Sequence, residues 1–351
     1  MILNCMLATN FGGTEKAYLD QLAMLRAAGL DAVAVTRRDC SIPARAAEAG
    51  LPCESFSILS DWDPITVGRA RRIVARRDPS LILTNGRKAH RLFARAVGHA
   101  KPIVSVVHKI AFDPDFAYAG FICVAEHRRR MLLEHGVPAE KIIVIPNGIR
   151  VPDKAKTQYA IAPGTPAHIV TLGRLDPVKG FDVLIDALAI LKERGVEFRC
   201  TLAGDGPLRP ALEQQVVRRR LAGLVGFTGW VEDIAPVLRG ADLFAFPSLR
   251  EGFPLALLEA LAHGLPVVSS RIDGPKEFLV EGDSGLLVPP RDPVALADAL
   301  GRLIGSEGLR RKLARNGRRL VEASNSFESI AGRLHRALNN VIEGRLIGAG
   351  L

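Results

Sequence analysis

The sequence lacks the features that mark membrane-spanning and exported proteins. No apolar run approaches the roughly 18–20 residues that a helix needs to cross a bilayer. The first residues, MILNCMLATN, have neither a basic start nor a signal-peptide cleavage site. We therefore expect a cytoplasmic protein.

Cysteine is scarce, and its spacing excludes the usual zinc sites. The cysteines are scattered, odd in number and form no C-x-x-C pair: Cys5, Cys40, Cys53, Cys123 and Cys200. This pattern is typical of reduced thiols in a reducing compartment, with no metal-binding or catalytic role.

Familiar nucleotide loops are missing, and aromatic residues make up only 5% of the chain. Without GxxxxGK[ST] or a full GxGxxG, neither an ATP-binding loop nor a dinucleotide-dependent dehydrogenase is predicted. The basic runs at 69–77 and 128–130 contribute to a net charge of +10, most of which lies in the first half. No stacking aromatics separate their arginines, which argues against nucleic acid. The runs either face solvent or meet phosphates or an anionic lipid surface.

The patterns that are present indicate an α/β protein with two domains. The length of 351 residues, with 48% hydrophobic residues, suits two well-packed cores. Short β-branched runs alternate with helical segments such as 15–28 and 127–135, which is typical of parallel sheets. The predicted strands are MILNCML, DAVAVT, LILTN, IVSVVH, GFICVA and IIVIP, then HIVTLGR, EFRCTLAG, LVGFTG, DLFAFPS, PVVSS and GLLVPP. We predict two Rossmann-like, doubly wound domains that face each other across a cleft at the carboxyl ends of their strands.

A stretch rich in proline, glycine and polar residues, 146–168, is the candidate linker. We expect an amino-terminal domain over 1–155, a second domain over 156–326, and a last segment over 327–351. In that last segment Ile330, Leu334 and Leu338 share one helix face, so the helix is expected to pack back on the first domain.

Two cations follow a predicted strand in VTLGRLDPVKGFDVLIDAL. Arg174 and Lys179 lie on the loop between that strand and an amphipathic helix. A planar guanidinium and a mobile ammonium at the mouth of a sheet suit a diphosphate, although two surface cations would give the same pattern. In the first half, Gly12 and Gly13 precede a helix whose amino terminus could attract a phosphate or sugar.

Two glutamates stand eight residues apart in SLREGFPLALLEALAHGLPVV, residues 248–268. If a helix begins at about Pro254, Glu251 lies in the preceding loop. Glu259 then lies about one and a half turns into the helix, roughly 7 Å further along its axis. The two carboxylates can therefore reach different parts of one ligand.

These segments, taken in order, resemble a retaining glycosyltransferase of family 4. The resemblance is carried by GGTEKAYLDQLAMLRAAGL, CVAEHRRRMLLEHGVPAEKIIVIPNGI, LGRLDPVKGFDVLIDAL, LAGDGPL, FTGWVEDIAPVLRGADLFAFPS and EGFPLALLEALAHGLPVVSS. It implies the GT-B fold, in which the second domain binds a nucleotide-sugar donor and the first domain presents the acceptor.

The resemblance also implies roles for the charged residues. Glu251 would lie near the donor sugar and Glu259 at the ribose hydroxyls. Arg174 and Lys179 would neutralise the diphosphate leaving group, which is work that a metal does elsewhere. No cofactor and no bound metal ion are therefore expected. His108 would touch the donor sugar or stabilise charge at its anomeric carbon, with His90 as a second candidate.

Further donor contacts are implied through the main chain. Trp230 and Val231 would frame the nucleobase. Backbone N–H groups at Phe253 and Leu255 would meet the diphosphate or sugar. Many family members carry glycine where this chain has Pro254, which donates no hydrogen bond.

The implied reaction moves a sugar from a nucleoside-diphosphate-sugar to an acceptor hydroxyl with retained anomeric configuration. A UDP-sugar is preferred, while guanosine and adenosine forms stay open. The acceptor is a saccharide or lipid-linked saccharide, such as one in lipopolysaccharide or exopolysaccharide biosynthesis. The resemblance favours front-face return of the acceptor over a covalent intermediate, and no residue of the sequence is an obvious covalent nucleophile.

Membrane contact and two rival functions stay open. The loop aromatics Trp62, Phe112, Phe116 and Tyr118, with the basic helices, either favour peripheral contact with the inner face of an anionic membrane or simply anchor loops. A nucleotide-sugar epimerase shares the architecture and would convert its donor without an acceptor. A two-lobed binding protein would hold a sugar without cleaving it.

Overall fold

The computed structural model describes residues 1–9, 12–108 and 118–350. It divides into two compact units. The first comprises residues 1–149 together with 326–351, and the second comprises 150–325.

The first unit contains a seven-stranded sheet in the order β3-β2-β1-β4-β5-β6-β7, and its strand pairs are all parallel. Its strands are β1 (Ile2–Met6), β2 (Ala32–Arg37), β3 (Cys53–Phe56), β4 (Leu81–Asn85), β5 (Ile103–Val107), β6 (Gly120–Cys123) and β7 (Ile142–Val144). The sheet order reverses between β1 and β4. Ligands of open α/β sheets bind at such switch points, outside the carboxyl ends of the strands.

The second unit contains a six-stranded parallel sheet in the order β10-β9-β8-β11-β12-β13. Its strands are β8 (Ala167–Leu172), β9 (Phe198–Ala203), β10 (Val225–Gly229), β11 (Leu243–Phe246), β12 (Val267–Ser270) and β13 (Leu286–Val288). Here the order reverses between β8 and β11, so the loops that follow these two strands lie at the second switch point.

Helices connect the strands in both units. They are α1 (Gly13–Ala27), α2 (Ile42–Glu48), α3 (Pro64–Arg77), α4 (Arg87–Val97), α5 (Glu126–Glu134), α6 (Phe181–Glu193), α7 (Arg209–Arg218), α8 (Ala235–Arg239), α9 (Leu255–Ala262), α10 (Pro275–Phe278), α11 (Pro293–Gly305), α12 (Glu307–Ser324) and α13 (Phe327–Ile342). Short 3₁₀ turns occur at Ala139–Lys141 and Pro177–Lys179.

The last helix, α13, belongs to the first unit. The backbone N–H of Phe327 donates to the carbonyl of Ile149 at 3.0 Å, and Arg333 donates to the carbonyl of Val144 at 2.5 Å. Gly148 permits this approach, because a Cβ there would lie 2.7 Å from the sulfur of Met24 and 3.1 Å from Cβ of Ile330.

Most of the strands are predominantly apolar, as expected for buried parallel strands. A parallel sheet covered on both faces buries successive residues, so its strands are continuously apolar rather than alternating. Four of the six positions in β8 are apolar and all six are buried, and the same burial holds along β1, β4 and β5. The predicted fold class of two Rossmann-like α/β domains is confirmed.

One strand escaped prediction. β3 has the sequence CESF, lies at the edge of the first sheet and pairs only with β2. A short edge strand with one side open to solvent needs no apolar run, so its pattern carries little signal. The helices predicted at 15–28 and 127–135 occur as α1 and α5, each shifted by one or two residues.

Candidate active site

Lys179 and Glu251 form an ion pair at the switch point of the second sheet. Lys179 follows β8, Glu251 follows β11, and the Lys179 Nζ lies 2.6 Å from Oε1 of Glu251. The buried hydroxyl of Ser248 donates to the same Oε1 at 2.7 Å. The Glu251 side chain is 10% exposed, so this charge is largely withdrawn from water. Both side chains therefore lie in loops at the carboxyl edge of the second sheet, and the roles predicted for them at a bound donor stay predictions.

A close backbone contact between the two loops positions this pair. Gly180 has φ of 65°, and a Cβ at that position would lie 2.2 Å from the carbonyl oxygen of Pro247. The N–H of Leu249 donates to the carbonyl of Val178 at 2.8 Å, which ties the loop after β11 to the 3₁₀ turn after β8. Only glycine fits at 180, because any side chain would force the loops apart.

Arg174 lies on the same loop as Lys179 but is placed differently. Its side chain is exposed and makes no ion pair or hydrogen bond with any residue in the described ranges. The neighbouring turn is held closely, since a Cβ at Gly204 would lie 1.9 Å from the carbonyl oxygen of Gly173. The Arg174 side chain therefore extends into solvent from a closely packed turn.

Helix α9 begins at Leu255, one residue after the predicted start. Pro254 is its N-cap, and Glu259 lies half-buried inside the helix. The N–H of Leu255 donates to the carbonyl of Phe253 at 3.1 Å, so one of the predicted main-chain donors is engaged locally. The ring of Phe253 lies 6.4 Å from that of Phe278. The donor roles predicted for these residues stay predictions.

Trp230 and Val231 follow β10 at the same edge of the sheet. The indole is 54% exposed, and Val231 is half-buried. The preceding Gly229 accepts a hydrogen bond from the N–H of Gly204 at 2.9 Å, which connects the ends of β9 and β10. An exposed aromatic ring at the carboxyl edge is compatible with the predicted contact to a nucleobase.

A buried polar network lies at the switch point of the first sheet. Nε2 of His108, the residue that follows β5, lies 3.0 Å from Oδ1 of Asn85 at the end of β4. The Nδ2 of Asn85 donates to Oδ1 of Asn4 at 2.8 Å and to Oε1 of Gln21 at 3.3 Å. His108 is half-buried, whereas the other three side chains are buried. The ring of His108 is therefore held by a hydrogen-bond network of buried polar side chains.

The predicted glycines and the second histidine have different surroundings. Gly12 is the N-cap of α1 and Gly13 is its first residue, after β1 of the same unit. His90 is 1% exposed, and its ring stacks on Tyr118 with centroids 3.8 Å apart. Its Nδ1 lies 3.5 Å from the hydroxyl of Thr84. A ring so enclosed packs the interior of the unit.

Sequence reasoning missed Ser248 and Asn85. Asn85 is the last residue of β4 and Ser248 lies two residues after the end of β11, and both belong to segments that the sequence predicts as strands. Such a residue at a carboxyl end is the signal that would have identified both. Phe112 and Phe116, predicted as loop aromatics, lie outside the described residues.

No thiol is activated among the described residues. Burial raises the pKa of the Cys5 and Cys200 thiols and raises that of Cys123 to about 12. No three His, Cys, Asp or Glu side chains within the described ranges are grouped as a metal site would require. In those ranges, too, every helix is too short or too polar to span a bilayer.

Two family models match the chain in succession. The model described as Glycosyltransferase Family 4 matches residues 11–151, and the model described as Glycosyl transferases group 1 matches residues 166–306. Each therefore covers most of one of the two sheets.

Curated relatives give the same result. The amylovoran biosynthesis glycosyltransferase AmsK of Erwinia amylovora is 40% identical over 184 residues, which are 50% of this chain and 45% of that protein. The chain thus spans less than half the length of this relative. The phosphatidyl-myo-inositol mannosyltransferase of Mycobacterium leprae is 28% identical over 94% of this chain and 93% of its own length.

The fold is shared with solved structures. HepE of Anabaena, crystallised in complex with UDP, is 23% identical and superposes with a TM-score of 0.83 over 97% of this chain and 99% of its own. The successive matches to two glycosyltransferase models, on a fold of this kind, establish that the chain belongs to glycosyltransferase family 4.

Proposed function

We propose that the protein is a retaining glycosyltransferase that moves a sugar from a nucleoside-diphosphate-sugar, preferably a UDP-sugar, to a hydroxyl of a saccharide or glycolipid acceptor. The observation that carries the proposal is the Lys179–Glu251 pair at the switch point of the second sheet, 2.6 Å apart. Its members have opposite charges, so the carboxylate can accept hydrogen bonds from sugar hydroxyls while the ammonium stabilises the anionic diphosphate.

Lys179 and Arg174 are proposed to stabilise the diphosphate leaving group. Negative charge develops on that group as the glycosidic bond breaks, and preorganised cations lower the barrier most where charge develops. Lys179 is held by Glu251, while the exposed Arg174 makes no ion pair in the described part of the chain. Arg174 can therefore close on a bound diphosphate without first breaking a salt bridge.

Glu251 is proposed to orient the donor sugar. Its Oε1 accepts from Lys179 and from Ser248, whereas its Oε2 accepts from no described residue. An ionised carboxylate is an acceptor only, so Oε2 suits a sugar hydroxyl. Glu259 is proposed to bind the ribose hydroxyls, and Trp230 with Val231 to frame the base.

The chain's own residues supply the chemistry in this proposal, with no metal ion and no cofactor. His108 is proposed to act at the donor sugar, supported by the hydrogen bond of its Nε2 with Asn85. The acceptor hydroxyl attacks the anomeric carbon from the face that the diphosphate leaves, and its proton passes to a leaving-group oxygen. The products are the glycoside and the nucleoside diphosphate, so atoms and charge balance.

The acceptor is proposed to belong to cell-surface polysaccharide or lipopolysaccharide biosynthesis. Two relatives support this class: one is a glycosyltransferase of amylovoran biosynthesis, and the other is a phosphatidyl-myo-inositol mannosyltransferase. Both are consistent with an acceptor that carries saccharide or lipid.

Peripheral contact with an anionic membrane is part of the proposal. Three large apolar side chains near the start of α3 are exposed: Leu59 by 70%, Trp62 by 60% and Ile65 by 58%. The guanidinium of Arg95 lies 3.8 Å from the centroid of the Trp62 ring, and that of Arg91 lies 5.2 Å away. Aromatic and aliphatic groups ringed by arginine suit the boundary between headgroups and acyl chains.

Donor turnover tests the site directly. A panel of nucleotide-sugars is incubated with the purified chain, and slow release of nucleoside diphosphate identifies the donor without knowledge of the acceptor. With that donor, Glu251→Ala and Arg174→Ala should each lower turnover on the order of a hundredfold. If both variants turn over the donor like the parent, the assignment of the site is wrong.

Product analysis separates transfer from the rival functions. A transferase forms a glycoside only when acceptor is present, and NMR of its anomeric proton reports retention or inversion. An epimerase would convert the donor sugar without acceptor, and a binding protein would leave it intact.

Vesicle flotation tests the membrane contact. Trp62→Ser with Ile65→Ser should lower retention on vesicles that contain phosphatidylglycerol at least tenfold. The matched control is Val217→Ser with Val294→Ser, which removes two exposed apolar side chains, 68% and 52% exposed, from the second unit. Equal retention of both double variants would remove the membrane from the proposal.

A further inference from the structure

A second basic site occurs in the second unit, away from the Lys179–Glu251 pair. A cavity of about 490 Å³ is lined by one face of α12 and by residues of the 155–159 segment. Its floor includes Ala155, Ala314 and Tyr159. This volume accommodates a ligand of several heavy atoms rather than a single ion.

The cavity lies toward the opposite edge of the sheet. The Tyr159 hydroxyl donates to the carbonyl of Lys156 at 2.7 Å and to that of Gly264 at 3.2 Å. Gly264 precedes β12, so this wall stands at the amino ends of the strands. Lys179 and Glu251 follow β8 and β11 and therefore stand at the carboxyl ends. The cavity is thus separate from the proposed donor site.

Five of the side chains that line the cavity are cationic and one is anionic. They are Lys156, Arg311, Arg315, Arg318, Arg319 and Glu322. The four arginines come from successive turns of α12, so the helix directs one charged face into the cavity. Like charges one turn apart on a helix repel each other, which disfavours this arrangement unless an anion lies between them.

Some of these cations already have structural partners. Arg318 donates to the carbonyls of Ala262 and Pro152, at 2.5 Å and 2.8 Å, and to the carboxylate of Glu322 at 2.6 Å. The Nζ of Lys156 donates to the carbonyl of Ala241 at 2.7 Å and pairs with Asp242 at 3.1 Å. These two side chains hold the walls together.

Arg315 and Arg319 have no such partners. Both side chains are exposed, and neither makes an ion pair or hydrogen bond with a residue that the structure describes. Within the described ranges, the ion-pair partner of Arg311 is Glu307, on its own helix. Burial raises the pKa of Tyr159, whereas the positive charges of Arg318, Arg315 and Arg311 lower it. The charges of these three guanidinium groups therefore act at the Tyr159 side of the cavity.

We propose that this cavity is a binding site for a phosphate-bearing ligand, held by the guanidinium groups of Arg315 and Arg319. A planar guanidinium donates two parallel hydrogen bonds to phosphate, and two of them one helical turn apart can grip one phosphate from two sides. Arg311 adds charge, and the Thr157 side chain offers a hydroxyl at the rim. The ligand is a soluble phosphorylated compound or a lipid headgroup.

Calorimetry with inorganic pyrophosphate tests the site. Measurements use the full chain carrying Arg174→Ala and Lys179→Ala, so that the proposed donor site does not contribute. Adding Arg315→Ser with Arg319→Ser should weaken binding at least tenfold. The control, Arg218→Ser with Arg302→Ser, removes the same charge from exposed positions outside the cavity and should leave the affinity unchanged.

Two results would overturn the proposal. One is an equal pyrophosphate affinity with and without Arg315 and Arg319. The other is an equal loss of pyrophosphate affinity in the control variant, which would mean that the net charge of the chain, and not the two arginines, determines binding. Thermal unfolding checks that every variant is folded.

Vesicles identify the source of the phosphate. Chains carrying Trp62→Ser and Ile65→Ser are floated with phosphatidylglycerol vesicles, with and without Arg315→Ser and Arg319→Ser. Retention that depends on the two arginines supports a lipid headgroup. Pyrophosphate binding without such retention supports a soluble ligand. Donor turnover reports separately on the proposed function.

Discussion

His108 Nε2 lies 3.0 Å from Asn85 Oδ1, and the rest of the amide fixes the direction of this hydrogen bond. Because Nδ2 of Asn85 donates to Asn4 and Gln21, its Oδ1 accepts and His108 Nε2 carries the proton. The network therefore selects one tautomer of the histidine at the switch point of the first sheet.

Asn85→Asp should shift the pH dependence of donor turnover to higher pH. A carboxylate beside Nε2–H favours the charged imidazolium, so the histidine holds its proton to higher pH. Asn4 has a buried Nδ2 with no hydrogen-bond partner in the described chain, and this group can turn to donate to the new carboxylate. The measurement is kcat/KM across pH 5–9.

The control for this prediction is Gln214→Glu, which adds the same charge at an exposed position on α7. If the two variants have the profile of the parent, Asn85 does not act through His108. An unchanged profile with weaker turnover would assign Asn85 a packing role alone.

Lys179→Ala should lower kcat for donor hydrolysis on the order of a hundredfold, with a smaller effect on KM. Its ammonium is proposed to act on charge that develops in the transition state, and loss of one such donor costs about 2.7–4 kcal/mol. Glu251 keeps its hydrogen bond from Ser248 in this variant, so the loop stays ordered. Lys154→Ala, which removes an exposed ammonium from the same unit, should be silent in the same steady-state assay.

Gly180→Ala should destabilise the second unit and lower donor turnover together. A methyl group would lie 2.2 Å from the carbonyl oxygen of Pro247, and the backbone has φ of 65°. The left-handed conformation alone costs a residue with a side chain about 1–2 kcal/mol. The clash adds to this and separates Lys179 from Glu251.

Gly195→Ala provides the matched control, because Gly195 has φ of 72° and no atom within 4 Å of the added Cβ. Urea unfolding of both variants isolates the clash from the conformational cost. Equal losses of unfolding free energy, with normal turnover in both, would mean that the contact between Gly180 and Pro247 does not position the site.

The two sheets could be predicted from the sequence because buried parallel strands are continuously apolar. In the second half five of the predicted strands contain β9 to β13, and HIVTLGR contains all of β8 except Ala167. Strand β3 could not be predicted, because its sequence CESF lies at an open edge and has no apolar pattern. The pattern identifies a strand only where both of its faces are covered.

The candidate site was predictable in part, for a related reason. Lys179 stands out as a cation in the loop after an apolar strand, and Glu251 as one of two glutamates eight residues apart across the start of a helix. Their contact at 2.6 Å could not be predicted, since it depends on Gly180 fitting against Pro247 across 67 residues of sequence. Asn85 was hidden inside a predicted strand, where a polar residue at the last position resembles the start of a turn.

The contribution of His168 to the free energy of unfolding should decrease as the pH falls below about 6.5. The ring is buried in β8, its Nδ1 lies 2.7 Å from the carbonyl of Gly240, and its Nε2 lies 2.8 Å from the hydroxyl of Thr201. Burial lowers the pKa of His168 in the folded state. At pH values below the ordinary histidine pKa of about 6.5, the unfolded chain therefore binds a proton that the folded chain refuses. The stabilising contribution is complete above that pH and is lost as the pH falls toward the folded-state pKa.

Urea unfolding from pH 5 to pH 8 tests this prediction for the parent and for His168→Gln. The substitution removes the titrating ring, so the slope of unfolding free energy against pH should become shallower between pH 5 and pH 6.5. His99→Gln, at an exposed position, should retain the slope of the parent. If the slope of the parent survives in His168→Gln, or if His99→Gln loses as much of it, the pH dependence does not arise from the buried ring of His168.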